Sequence, residues 1–111
     1  MTRGYTTGLE DILPGYGPDG RNGDQPRFTT MKNNLAREIG IFEKQSAFWF
    51  QAQTCQTRVE NNICFNVPRA AVNINDGFGG GNHMIGNLLF NTCRESGDHG
   101  AWNSWDRIPY S

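Results

Sequence analysis

The length, composition and charge of the chain exclude several classes of protein. Its 111 residues suffice for a single domain or part of one, with no room for a second core. Ten basic and eleven acidic side chains give a net charge of −1, so nucleic acid and anionic membranes are not expected partners. No apolar run approaches the ~20 residues of a membrane span, and the N-terminus lacks the basic-then-apolar layout of a signal peptide.

Residues 1–27 are predicted to form an irregular N-terminal loop or cap. Glycine and proline recur every few positions in this segment, as in the Pro-Asp-Gly sequence at 18–20, and both residue types favour turns. We expect Leu9, Ile12 and Leu13 to cover the open end of the repeats that follow.

From residue 28 onward, one pattern occurs three times. An asparagine before an aliphatic residue recurs as Asn34-Leu35, Asn62-Ile63 and Asn87-Leu88, at spacings of 28 and 25 residues (62 − 34 = 28 and 87 − 62 = 25). A period in the twenties indicates a solenoid in which each repeat is one coil. The residues three before and two after each asparagine are small or apolar, as a stacked interior requires: Met31, Ala36, Val59, Cys64, Met84 and Leu89.

A second repeat follows each asparagine at a variable distance. Residues 71–76 align with 101–106 and, more loosely, with 47–52, an alignment that places Trp49 in the same column as Asn73. The distance from the asparagine to this repeat is longer in coils one and three than in coil two. We therefore predict longer corner loops in coils one and three, on the same edge.

The three asparagines Asn34, Asn62 and Asn87 are interpreted as structural. In parallel strands about 4.8 Å apart, stacked amides can hydrogen-bond to one another and to the backbone of the turns. Asparagine also tolerates the left-handed conformation that a sharp corner needs.

Two segments of the repeats carry a resemblance to a known family. They read Ala-Val-Asn-Ile-Asn-Asp-Gly-Phe-Gly-Gly-Gly-Asn at 71–82 and Asn-Thr-Cys-Arg-Glu-Ser-Gly-Asp-His-Gly at 91–100. Together with the asparagine column, they resemble right-handed parallel β-helix proteins of the pectin-lyase-like superfamily, over about residues 28–111. The resemblance implies an all-β fold, a right-handed parallel β-helix solenoid of about three coils, in a chain that is a fragment of a longer protein.

The same resemblance implies a function. Members of the superfamily are largely polysaccharide lyases, glycoside hydrolases and carbohydrate-binding proteins, so carbohydrate recognition or processing in an extracellular or cell-surface location is expected, with a polysaccharide or glycan as partner. The alternative is a non-catalytic structural or adhesive β-helix module, since charged loop residues are usually solvated or paired. The exposed last strand also predicts either self-association through the open C-terminal coil or an attached continuation of the chain.

The corner loop of coil three carries the candidate catalytic residues Glu95, Asp98 and His99. Carboxylates and histidine supply the acid, base or nucleophile that glycosidic bond cleavage needs. Candidate substrate-binding residues are donors for hydroxyl or uronate groups and aromatic platforms for sugar faces: Arg69, Arg94, Trp102 and Trp105.

Asp76 and Asp106 are the candidate metal ligands. The alignment of the second repeat places them in one column, one coil apart. Two carboxylates about one layer apart repel each other, which raises the pKa of one of them or recruits a cation. A separation of about 5 Å is also that of the two carboxylates of a retaining glycosidase. The cofactor is left open, with calcium as a candidate.

The three cysteines, Cys55, Cys64 and Cys93, cannot all pair within the chain, and none of their spacings is typical of zinc or redox sites. Cys64 falls at an inward position. We predict that the three are mostly buried thiols.

Overall fold

A computed structural model describes residues 2–3, 25–77 and 80–106, and within these ranges all regular secondary structure is β-strand. The strands are β1 (Thr2–Arg3), β2 (Thr30–Lys32), β3 (Leu35–Arg37), β4 (Trp49–Ala52), β5 (Arg58–Glu60), β6 (Ile63–Phe65), β7 (Val72–Gly77), β8 (His83–Ile85), β9 (Leu88–Phe90) and β10 (Trp102–Asp106). The described ranges contain no helix of the length and hydropathy that a membrane crossing requires.

The strands form three parallel sheets, with one strand of each coil in each sheet. The orders are β1-β4-β7-β10, β2-β5-β8 and β3-β6-β9. Coil one contains β2, β3 and β4, coil two contains β5, β6 and β7, and coil three contains β8, β9 and β10. Each strand of coils one and two pairs with the equivalent strand of the next coil, so the architecture is a parallel β-helix, and the predicted three coils are confirmed.

Backbone corners with positive φ recur in each coil at intervals of five residues. They form three columns: Phe28, Gln56 and Gly81; Asn33, Asn61 and Gly86; Glu38, Asn66 and Asn91. Asparagine and glycine suit this left-handed conformation. At Gly86 the requirement is also steric, because a Cβ there would lie 2.6 Å from Oδ1 of Asn61.

The predicted asparagine column is present as a hydrogen-bonded ladder. Oδ1 of Asn62 accepts from the backbone N–H and the side-chain amide of Asn34, at 2.9 and 3.0 Å. Oδ1 of Asn87 accepts the same two bonds from Asn62, at 3.0 and 2.9 Å. The amide nitrogens of Asn62 and Asn87 then donate to the carbonyls of Met31 and Val59 in the preceding coil. The buried Asn62 is thus fully paired.

The second repeat is confirmed between coils two and three but is wrong by one residue in coil one. Asn103 lies opposite Asn73 and donates to its Oδ1 at 2.7 Å. In coil one, however, Phe50 lies opposite Asn73, and Trp49 lies opposite Val72. The reason is that Trp49 and Val72 are both buried in the core, and a shift of one residue would turn the tryptophan outward.

The interior is filled by stacked columns of apolar side chains. Their members are Met31, Val59 and Met84; Ala36, Cys64 and Leu89; Trp49, Val72 and Trp102. The middle member of each column is buried because a coil covers it on both sides.

The N-terminal segment contributes one element that the sequence did not predict. Thr2–Arg3 form β1, which pairs with Gln51 and Ala52 of coil one. The proposed covering residues Leu9, Ile12 and Leu13 lie outside the described residues.

Cysteine burial is confirmed for two of the three thiols. Cys55 and Cys64 are buried, whereas Cys93 is half-buried, and all three are free. Burial raises the pKa of the Cys64 thiol to about 11.

We expect replacement of Asn62 by alanine to lower the free energy of unfolding by about 3 kcal/mol, because partners in both neighbouring coils lose their hydrogen bonds. The matched substitution Asn34→Ala, at the exposed end of the ladder, should cost about 1 kcal/mol. Urea unfolding followed by circular dichroism measures both. Equal losses would contradict a structural role for the middle asparagine.

The raised pKa of Cys64 makes stability depend on pH in the alkaline range. Above pH 9 the unfolded chain releases the thiol proton, whereas the folded chain holds it until about pH 11, so stability falls as pH rises between these values. Between pH about 8 and about 10.5 the loss from this group should be about 2 kcal/mol. Urea unfolding of Cys64→Ala should show a smaller pH dependence than the parent chain, and identical dependences would contradict this assignment.

Candidate functional site

The candidate site is built on the corner loops that connect the second and third strands of each coil. These loops are residues 38–48 in coil one, 66–71 in coil two and 91–101 in coil three, and together we call them the loop edge. The prediction of longer loops in coils one and three, on the same edge, is confirmed. The two long loops meet above the short one, where Nζ of Lys44 lies 2.9 Å from Oε1 of Glu95.

Backbone hydrogen bonds fix the coil-three loop on the coil-two loop. The N–H groups of Cys93, Arg94 and Glu95 donate to the three carbonyls of residues 67–69 in the short loop, at 3.0, 3.3 and 3.0 Å. The coil-one loop approaches from the other side, where a Cβ at Gly40 would lie 2.7 Å from Cγ of Pro68. The side chains of the loop edge are therefore carried on a backbone that is itself hydrogen-bonded.

Arg69 is the centre of the loop edge. Its Nη2 lies 3.1 Å from Oδ2 of Asp98 and 2.8 Å from Nε2 of His99, and its Nη1 donates to Gln45. One guanidinium thus joins the loops of all three coils. Its side chain is 18% exposed, whereas that of Asp98 is 68% exposed, so the carboxylate is the accessible member of the pair.

The contacts of His99 determine which ring nitrogen carries the proton. A guanidinium only donates, so Nε2 must accept from Arg69, and the proton of the neutral ring lies on Nδ1. Nδ1 is 3.1 Å from Oδ2 of Asp98, but it is buried and lacks the geometry of a hydrogen bond. Both ring nitrogens are therefore turned toward the protein.

The other charged residues of the coil-three loop reach across to coil one. Nη1 of Arg94 lies 3.6 Å from Oε2 of Glu38, and Glu95 pairs with Lys44. Two arginines lie closer to Glu95 in the chain, Arg94 next to it and Arg69 in the adjoining loop. The structure pairs Glu95 with the more distant lysine because the coil-one loop folds over the short loop of coil two.

The two tryptophans differ in their positions. Trp102 lies in the inward column of coil three, opposite Val72, and is 44% exposed because no further described coil covers it. Trp105, near the end of β10, is exposed. The structure therefore gathers Arg69, Arg94 and the three candidate catalytic residues at one edge, while Trp102 has the position of a core residue.

The proposed metal pair does not share a column. The register shifts between Ser104 and Asp106, and Asp106 lies opposite Gly77 and not opposite Asp76. The extra residue lies in β7, and this bulge is the physical reason for the error. The side chains of both aspartates lie outside the described part. Among the side chains of residues 25–75 and 80–105, no group of three or more His, Cys, Asp or Glu could hold a metal ion.

Gln45 is a member of the loop edge that sequence reasoning missed. It accepts from Arg69, and it lies in the loop that the sequence placed beside the other two. The sequence carried one signal for this contact. The loops of coils one and three are both longer than the loop of coil two, so both can reach over it.

We expect the Nδ1-protonated tautomer of His99 to depend on Arg69. The ¹⁵N chemical shifts of the imidazole should report Nε2 as an acceptor in the parent chain. In Arg69→Ala the donor is lost, so the ring should populate both tautomers. The exposed His83 is the internal reference, and an unchanged His99 spectrum in the variant would contradict the contact.

Comparison of the chain with protein-family models, with curated proteins and with solved structures finds no match. The fold and the contacts of the loop edge are therefore the grounds on which a function is proposed.

Proposed function

We propose that this chain recognises carbohydrate at the loop edge, as an extracellular or cell-surface member of the pectin-lyase-like β-helix proteins. The observation that carries the proposal is the Arg69–Asp98 pair, in which an exposed carboxylate is held 3.1 Å from a mostly buried guanidinium. Sugar hydroxyls both donate and accept hydrogen bonds. A fixed carboxylate is a strong acceptor for them, because charge-assisted hydrogen bonds are about twice as strong as neutral ones.

The arrangement favours binding over cleavage. A general acid or base must reach the ligand with the atom that carries or takes the proton. In His99, Nε2 is occupied by Arg69 and Nδ1 is buried, so neither nitrogen faces a ligand. Glu95 and Asp98 are each paired with a cationic side chain. Hydrolase or lyase activity would require these contacts to rearrange.

The balance of charge at the loop edge favours neutral glycans. Each of the cations Lys44, Arg69 and Arg94 lies within 4 Å of a carboxylate, at 2.9, 3.1 and 3.6 Å. Uronic acids need an unpaired cation to bind their carboxylates, and a paired one gains little from a second anion. Hydroxyl-rich neutral chains do not carry this cost.

A structural or adhesive module remains the second candidate. The same ion pairs support it, because each of them joins loops of two different coils and strengthens the stack. Under this reading the loop edge holds the solenoid together and binds no ligand.

The test is binding of the purified chain to neutral and uronic-acid polysaccharides, with and without calcium, measured by isothermal titration calorimetry. We expect neutral glycans to bind and the double substitution Asp98→Asn, Arg94→Gln to weaken binding at least about tenfold, a loss of about 1.4 kcal/mol. Circular dichroism should show that the fold is retained.

The matched control is Glu60→Gln, Arg58→Gln on the outer face of the β2-β5-β8 sheet. Arg58 and Glu60 form an ion pair, and the Arg58 guanidinium lowers the pKa of the Glu60 carboxyl. The control therefore removes an arginine–carboxylate pair, as the test variant does, but from another surface. The control should bind like the parent chain. A folded chain that binds no polysaccharide would favour the structural module, and cleavage products lost in Glu95→Gln would favour an enzyme.

A further inference from the structure

The two ends of the asparagine ladder carry hydrogen-bonding groups that match each other. Within the ladder, each backbone N–H donates to Oδ1 of the next coil, as Asn34 does to Asn62 and Asn62 does to Asn87. In the part of the chain that the structure describes, the N–H of Asn87 has no acceptor and Oδ1 of Asn34 has no donor. The end at coil three thus offers the donor that the end at coil one accepts.

The side-chain amides show the same relationship. Asn62 and Asn87 donate through Nδ2 to the carbonyl that lies three residues before the asparagine of the preceding coil. Asn34 instead turns its Nδ2 to the carbonyl of Lys32 in its own coil, at 2.9 Å. The carbonyl that would complete the pattern for Asn34 is that of Met84, in coil three of another copy.

We propose that the chain binds a second copy of itself head to tail, with coil three of one copy stacked on coil one of the next. The Asn87 N–H donates to Oδ1 of Asn34 in the second copy, and Nδ2 of that Asn34 donates to the carbonyl of Met84. This interaction is independent of any ligand at the loop edge.

The interior columns support this stack. Continuation of the register sets Met84 against Met31, Leu89 against Ala36, and Trp102 against Trp49 of the second copy. Trp102 is the largest of the inward side chains that coil three leaves exposed. Coil one provides a cavity of about 530 Å³, whose lining includes Met31, Phe48 and Trp49. Stacking covers apolar surface on both copies.

The outer columns of the β3-β6-β9 sheet are also complementary. Leu88 continues onto Leu35 of the second copy, which joins two exposed aliphatic side chains. In the neighbouring column, Phe65 and Phe90 stack with ring centroids 4.8 Å apart, and Arg37 is the next member of that column. A guanidinium over the face of Phe90 makes a favourable cation–π contact.

Strand β1 competes with the neighbouring copy for one of the three sheets. It pairs with Gln51 and Ala52, on the edge of β4 that β10 of the neighbouring copy would occupy. Very short edge strands are a common protection against pairing between chains. Association through all three sheets therefore requires Thr2–Arg3 to leave β4, and β1 weakens the association between copies.

The geometry of the contact predicts which kind of oligomer forms. The two surfaces are different, so the interface is heterologous, and each added copy presents the same coil-three surface to the next copy. Stacking along the axis of the solenoid does not close into a ring. The product is a linear series of copies and not a symmetric dimer.

The experiment is sedimentation velocity of the full chain over a range of concentrations. The substitutions Thr2→Pro and Arg3→Pro together remove the β1 backbone donors and should raise the association constant at least about tenfold.

A second pair of variants tests the interface itself. Leu35→Lys with Leu88→Lys places like charges one layer apart across the contact, and Leu35→Lys with Leu88→Glu places opposite charges there.

These positions are 67% and 54% exposed, and Ile63 separates them within one copy, so both variants should fold alike by circular dichroism. On the Thr2→Pro, Arg3→Pro background, we expect the lysine–lysine variant to associate at least about tenfold more weakly than the lysine–glutamate variant. Monomers at every concentration for both the parent chain and the β1 variant would overturn the proposal. Equal association of the two charge variants would overturn it as well.

Discussion

The structure depends on parallel pairing of each strand with its equivalent in the next coil. The strands are two to six residues long, too short to persist alone, and each is stabilised by strands from neighbouring coils. Asn62 holds these layers in register, because its amide bonds both to the coil before it and to the coil after it. The corners at Asn33, Asn61 and Gly86 keep the layers aligned since they share one backbone conformation.

The loop edge follows from this constraint. Loops of different length can leave the coils without disturbing the stack, because the ladder and the sheets fix the layers on either side. The short loop of coil two leaves Arg69 beneath the two longer loops, where one guanidinium contacts Gln45, Asp98 and His99. This position makes the exposed carboxylate of Asp98 a fixed hydrogen-bond acceptor, and the proposed recognition of a hydroxyl-rich ligand rests on this feature.

The accuracy of sequence reasoning differed between the two repeats. The asparagine column was predicted correctly, because its spacing is accompanied by apolar residues at constant offsets. The second repeat was placed one residue away in coil one, where the loose similarity of 47–52 did not reveal which residues face inward. The bulge in β7 that sets Asp106 opposite Gly77 was also missed, since an extra residue in a strand leaves no clear trace in a repeat only six residues long.

The sequence by itself determined the solenoid: its period, its asparagine corners, its inward columns and the coils that carry long loops. These features are set by backbone hydrogen bonds and burial, which repeat with the chain. Only the tertiary structure decided which charged groups meet, as when Lys44 pairs with Glu95 across 51 positions of the chain. The physical reason is that contacts between exposed side chains depend on how each loop folds over its neighbour, and no periodic pattern encodes that path. The proton position in His99 depends on such a contact with Arg69.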